Sequence, residues 1–263
     1  MTKLIDLTRP LGNVDKSTFP QKLLPVLRII APRIHHIDHQ MGASVMQHLF
    51  NCKKEDLPEG EGWAEDDLAM SSHLGTHVDA PWHYGSKSEG KPARTIEKIS
   101  LEELYCPAVV LDLTAKRATG AAITIEDLQT ALDKVSYRIQ PGDAVLIRTD
   151  HDKYALNDEL RYNYPGMTRA STLWLAEQGA HIGGTDATGW DRPFHVMIEN
   201  FQRTADKSCI WDAHFAGRDR ELIIVQQLAN LDKLPPHGFK VGFFPLLLEK
   251  CSAAPARVVA FVE

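Results

Sequence analysis

The sequence predicts one α/β domain over residues 1–263, and three observations carry that expectation. Apolar runs of strand length recur along the chain, as in AVVLDL at 108–113, ELIIVQQL at 221–228 and VGFFPLLL at 241–248. Segments with helical spacing and their own capping residues lie among them, at 124–135 and 168–179. No repeat and no low-complexity linker divides the chain, so many strands with three or four helices point to a single compact unit.

Taken in order, KLIDLT at 3–8 alternates and is rich in β-formers, which predicts a first strand ended by Pro10 and Gly12. Residues 13–22 read as loop. Two prolines and many β-branched residues in LLPVLRIIAPRI favour strand and turn over 23–50, with a short helix or strand across SVMQHLF. Residues 51–66 are polar and turn-rich; Trp63 within them fits a lid over an apolar substrate, or an anchor pinning the loop to the core. After a further polar loop, SLEELY predicts a short helix capped by Ser100, with Glu103 three residues on. AVVLDL is a buried strand, Thr124 caps a helix over IEDLQTALDKV, and PGDAVLIRTD is a turn and a second buried strand. HDKYALNDELRYNYPGM crosses the surface. Thr168 and Ser171 start a helix that Gly179 stops, and AHIGGTD follows as a strand and turn. Gly183 and Gly184 lack the spacing and the lysine of a phosphate loop. WDRPFHVMIENFQRT carries Asp191, His195 and Glu199 without tight spacing, and ARVVAFVE closes the chain as a strand.

With 263 residues, 43% hydrophobic and 24% charged, the chain can bury a large core and has an ordinary globular composition. Its formal charge of -6 offers no basic patch for a phosphate backbone, so nucleic acid is not an expected partner. Cys52, Cys106, Cys209 and Cys251 form no CxxC pair, which leaves neither a cysteine zinc site nor a disulfide framework. MTKLIDLTRPLG has no long apolar run after Lys3 and no segment reaches bilayer length. The expectation is a cytoplasmic protein without a membrane partner.

The densest chemistry lies in SSHLGTHVDAPWHYG, residues 71–85, which packs His73, His77, Asp79 and His83 into eleven residues. Gly75, the β-branched Thr76 and Val78, and Pro81 all oppose a helix there. In an extended segment His77 and Asp79 point to one side, and a turn at Gly75 can bring His73 round to them. Two imidazoles and a carboxylate are a common catalytic zinc set with a position left for water, and they suit manganese or iron equally. HHIDHQ at 35–40 offers His35, His36, Asp38 and His39, but no Gly or Pro shapes it, and it reads as a solvated loop.

HLGTHVDAPWH matches the HxGTHxDxPxH signature at every fixed position, and on that motif the chain resembles the cyclase family of metal-dependent hydrolases. This group includes bacterial kynurenine formamidase, isatin hydrolase and trans-dienelactone hydrolase. LIDLTRPLG, YPGMTRASTLWLAEQGAHIGGTDATGWD and the stretch from HFAGRDR to the end resemble it too. The resemblance implies a swivelling β/β/α fold and a homodimer or higher homo-oligomer. It also implies one divalent ion, Mn²⁺ or Zn²⁺, on His73, His77 and Asp79. It places His83 at the proton donor and acceptor position, with the rival role of an extra ligand. The family pairs a histidine with a glutamate twelve residues later, which bridges the ions in two-metal members. His214 fits the first position, but Gln226 stands at the second. A neutral amide bridges two cations poorly, so a single metal is expected, with His214 freed to bind substrate or orient water.

An ion on that triad would lower the pKa of its water from about 15.7 to about 7, giving hydroxide that attacks a carbonyl. His83 would move the proton. Trp63, Trp82 and Trp190 could supply flat walls for an aromatic substrate, or belong to the core. The leading expectation is hydrolysis of a cyclic aryl amide such as isatin to isatinate; the alternatives are a dienelactone-type lactone and an N-formyl aryl amine. A metal-binding protein without turnover is the non-enzymatic alternative, though a structural zinc site is normally closed by four strong ligands.

Overall fold

The computed structural model describes residues 1–27, 31–117 and 119–263. Packing divides the chain into two compact units, residues 1–10 with 72–263, and residues 11–71. In the first unit lie strands β1 (Lys3–Asp6), β4 (His77–Asp79), β5 (Tyr105–Asp112), β6 (Ala144–Arg148), β7 (Ile182–Thr185), β8 (Ile223–Gln226), β9 (Phe239–Pro245) and β10 (Ala253–Val262). Between them come helices α2 (Ile125–Lys134), α3 (Arg169–Glu177), α4 (Phe194–Thr204) and α5 (Asp212–Phe215). The second unit carries β2 (Arg33–Ile37), α1 (His39–Phe50) and β3 (Glu65–Ala69). The chain is thus of the α/β class, as the sequence predicts.

Seven strands of the first unit form a closed ring in the order β10-β9-β5-β6-β7-β8-β4, because β4 pairs back onto the start of β10, Asp79 opposite Ala253 and His77 opposite Pro255. β1 pairs with the far end of β10, Lys3 opposite Val262. β5 through β8 run parallel, with helices in the crossovers between them, and parallel strands covered on both faces read as continuous apolar runs. Alternate residues then serve two cores. Ala108, Val110, Ala144, Leu146, Ile223, Val225 and Val78 face the interior of the ring. Val109, Leu111, Val145, Ile147 and Ile224 face outward against Leu128, Leu132, Leu175 and Trp190. Each Val, Leu or Ile among them contributes about 1.5–3 kcal/mol when fully buried.

The two predicted caps form as reciprocal pairs. Thr124 Oγ1 accepts from Asp127 N while Asp127 Oδ2 accepts from Thr124 N, and Thr168 and Ser171 make the same exchange. SLEELY is a single turn rather than a helix. Its Ser100–Glu103 capping contacts exist, but Tyr105 enters β5 opposite Gly242, and Pro107 two residues on cannot extend a helix. The reading of 23–50 needs two corrections within the described residues: a 3-10 turn covers Gln21–Val26, and α1 runs twelve residues. Asp38 starts α1 by accepting from Gln40 N and Met41 N, and Asn51 ends it in the left-handed region at φ 49°. Residues 28–30 of the expected strand and turn lie outside the described residues. α4 and α5 arise where no helix was expected. Among the described residues no helix is long and apolar enough to cross a membrane.

The paired glycines after β7's start are explained by packing. A Cβ on Gly183 would meet the Trp190 ring at 2.6 Å, and that indole, itself 1% exposed, donates from Nε1 to Thr172 Oγ1 at 3.0 Å. Gly183→Ala is expected to destabilise the protein by about 1–3 kcal/mol through overpacking, read as a lower urea midpoint; an unchanged midpoint would mean the indole is free to shift.

Candidate metal centre

β4 is three residues long and paired on both edges, to β8 and to β10. Val78 points into the ring, so His77 and Asp79 both face outward. Across the β4–β8 ladder, Gln226 stands opposite His77 on the same face. Gly75, at φ +61°, makes the turn that returns His73 to this face. Pro81 begins the 3-10 turn Pro81–His83 that returns His83 from the other end. His214 comes from α5, whose first amides hold Asp191: Ala213 N donates to Oδ1 at 2.7 Å and His214 N to Oδ2 at 3.2 Å.

Asp79 is the centre of the group and is fully buried. Its Oδ2 accepts from Gln226 Nε2 at 2.5 Å. Its Oδ1 has no hydrogen bond, although His73 Nδ1 lies 2.7 Å away and His77 Nε2 3.3 Å away. His77 Nδ1 lies 2.7 Å from the Gly75 carbonyl. Only a donor satisfies that acceptor, which assigns the proton to Nδ1 and leaves a lone pair on Nε2. A lone pair facing an unpaired carboxylate oxygen is repulsive unless a cation lies between. Donors on one ion at about 2.1 Å stand about 3.0–3.4 Å apart, close to the separations seen here. The residues present therefore fit a divalent cation. His73, Asp79 and His83 offer ligand atoms mutually within 4.8 Å, with His77 beside them.

The charges follow from the same packing. Burial alone would raise the Asp79 carboxyl, but His77 and His83 outweigh it and hold the group well below the usual carboxylate range. Burial pushes His83 down to about 3, with the His73, His214 and His77 rings adding to it against the pull of Asp79. His214 is buried too, yet Asp191 at its Nδ1, helped by Asp79, raises it to about 9. Gln226 Nε2 also lies 3.2 Å from His214 Nε2, so the space between Asp79 Oδ2 and His214 is met by an amide NH₂ rather than by an oxygen.

The tryptophans divide between the two expected roles. Trp190 is core. Trp82 is 45% exposed, on the Pro81–His83 turn. Trp63 belongs to the 11–71 unit and is 39% exposed. The sequence reading missed Trp211, whose ring stacks on His214 at 4.4 Å, and it gave Asp191 no role. Neither carries a spacing signal, since Asp191 and His214 are 23 residues apart. Of HHIDHQ, His35, His36 and His39 are exposed, and the Asp38 carboxylate is spent on the α1 cap. A second acidic group, Asp150, Asp152 and Asp186, is already compensated. Asp186 accepts from Thr149 and from Asp150 N, Asp150 pairs with Arg148, and Asp152 with Lys153.

The family model named Cyclase matches residues 5–192, and the chain belongs to that family. Isatin hydrolase of Roseibium aggregatum is 28% identical to this chain over 220 residues, 78% of this chain and 77% of that protein. Kynurenine formamidase of Bordetella petrii is 27% identical over 193 residues, 73% of this chain and 78% of that protein. Among solved structures, an isatin hydrolase bound to the product analogue thioisatinate aligns over 99% of this chain and 92% of its own, with a TM-score of 0.74 at 23% identity. That likeness establishes the swivelling β/β/α fold that the sequence motif implies.

A carboxylate at position 226 would remove the amide donor from the Asp79–His214 space. Gln226→Glu is expected to raise bound Zn²⁺ or Mn²⁺ from about one to about two ions per chain by elemental analysis; one ion in both proteins would show that residue 226 does not set the stoichiometry.

Proposed function

We propose that the protein is a single-metal hydrolase that opens a cyclic aryl amide of the isatin type, with His73, His77 and Asp79 holding the ion. The observation that carries the reading is Asp79 Oδ1, buried and without a hydrogen bond between two imidazole nitrogens. The hydrolase names of relatives near 28% identity support it. A divalent cation there supplies Lewis acidity toward a carbonyl and an acidified water; Mn²⁺ and Zn²⁺ both suit the donor set.

The remaining work falls to the chain itself. His83, brought to the set by the Pro81–His83 turn and pushed towards its neutral form by burial, is the candidate acceptor for the proton of the attacking water. It then returns that proton to the leaving nitrogen as the C–N bond breaks. Water addition to the cyclic amide gives a single ring-opened product that carries both the new carboxylate and the freed aryl amine. His214, held by Asp191 at Nδ1, has its Nε2 3.6 Å from Asp79 Oδ2, where it would help bind substrate or orient water. Gln226 holds Asp79 Oδ2, which fixes the carboxylate with Oδ1 free for the ion. Trp82, exposed beside His83 in sequence, is a candidate wall for the substrate ring.

A lactone of the dienelactone type and an aryl formamide are the alternative substrates, since water attack on either uses the same groups. The substrate is small in each case, and the proposal involves neither nucleic acid nor a membrane. Cytoplasmic location and a homodimer or higher homo-oligomer belong to the same proposal, on family resemblance.

The deciding experiment is a panel of isatin, a dienelactone and formyl-kynurenine offered to Mn²⁺- and Zn²⁺-loaded protein, followed by absorbance as each bond opens. Isatin turnover that disappears on full chelation and returns with either ion is expected; turnover of the lactone alone would move the substrate, and metal-independent turnover would overturn the mechanism. In His83→Ala, turnover is expected to fall by about 100- to 10,000-fold with metal content unchanged. Loss of the ion from that variant would make His83 a ligand instead.

A further inference from the structure

We propose that Trp211 is a positioning residue that braces the imidazoles of His83 and His214 in the orientations hydrolysis requires. Its kinetic arm rests on the hydrolase reading above. The indole stacks on His214 with centroids 4.4 Å apart and planes 16° from parallel. It meets His83 edge-on, at 4.9 Å and 88°. The two imidazoles are themselves 5.5 Å apart at 85°, so one flat ring lies face to one and edge to the other. Phe215 packs against the indole at 5.2 Å and 81°, and the Arg218 guanidinium covers Phe215 at 3.8 Å, which backs the wedge with further side chains.

The backbone supports the same assignment. Trp211 sits at φ 51°, ψ 39°, immediately before α5, in a left-handed region that bulky side chains seldom occupy. Strain of this kind persists where surrounding structure demands a particular side-chain direction. Here that direction carries the indole onto the two rings. Asp191 at Nδ1 and Gln226 at Nε2 contact the edge of the His214 ring; the stacked indole covers its face. Because one face of Trp211 is taken by His214, it acts through the histidines rather than as a platform for substrate.

Glycine suits the left-handed backbone at this position, so Trp211→Gly removes the stack while keeping the turn into α5, and Trp211→Phe retains an aromatic face. With metal content unchanged, kcat is expected to fall at least about tenfold in Trp211→Gly with KM within about twofold, and to recover to within about threefold of wild type in Trp211→Phe. A Trp211→Gly kcat near wild type, or a rise in KM alone, would overturn the proposal. Imidazole NMR of the Zn²⁺-loaded proteins gives a readout independent of turnover. Wild-type His214 ring protons are expected upfield under the indole ring current, and the His83 and His214 signals are expected to shift and broaden in Trp211→Gly. Should the wild type turn over no member of the substrate panel, the hydrolase reading fails. The spectra still decide the bracing then: broadened rings support it, and unchanged rings overturn it.

Discussion

A buried carboxylate governs this structure. Asp79 is fully enclosed, and an isolated carboxylate in such a place would protonate rather than stay charged. It stays ionised because its neighbours are arranged for it: an amide donor at Oδ2 and imidazoles at Oδ1. The arrangement gives Oδ2 an amide donor and leaves Oδ1 without a hydrogen bond. The candidate cation site and a constraint on the fold are thus the same object.

The ring of strands makes the constraint rigid. β4 has only three residues but is hydrogen-bonded on both sides, and Val78 anchors it in the interior core. Its outer face therefore presents His77 and Asp79 at a fixed spacing, with Gln226 registered opposite. Groups carried on a strand pinned this way are placed more closely than groups on loops alone. Only His73 and His83 come from the bends at either end, and those bends are set by Gly75 and Pro81. Tyr84 adds a cross-tie: its hydroxyl donates to the Asp79 carbonyl and accepts from Ile224 N.

What could be read in advance was local. Period-two alternation placed His77 and Asp79 on one face, Thr124 and Thr168 marked helix starts, and the apolar runs of β5 to β8 marked buried strands. The failures have local causes too. α1 was hidden because prolines and β-branched residues upstream masked the capping role of Asp38. SLEELY carried a genuine capping pair, but strand pairing at Tyr105 overrode it. α4 does carry a signal, the apolar spacing of Phe194, Met197, Ile198 and Phe201, which the charged and polar residues between them obscure. Long-range partners were not readable at all. Nothing in sequence ties Asp191 to His214, or Trp211 to His83, because tertiary folding alone brings the start of α5 onto Asp191 and the indole before it onto His83.

The most direct test of the account is a crystal grown with excess Mn²⁺ and its anomalous difference map. A single peak within coordinating distance of Asp79 Oδ1, His73 Nδ1 and His77 Nε2 is the expected result. An empty map at Asp79, with an ordered water or a proton satisfying Oδ1 instead, would contradict it.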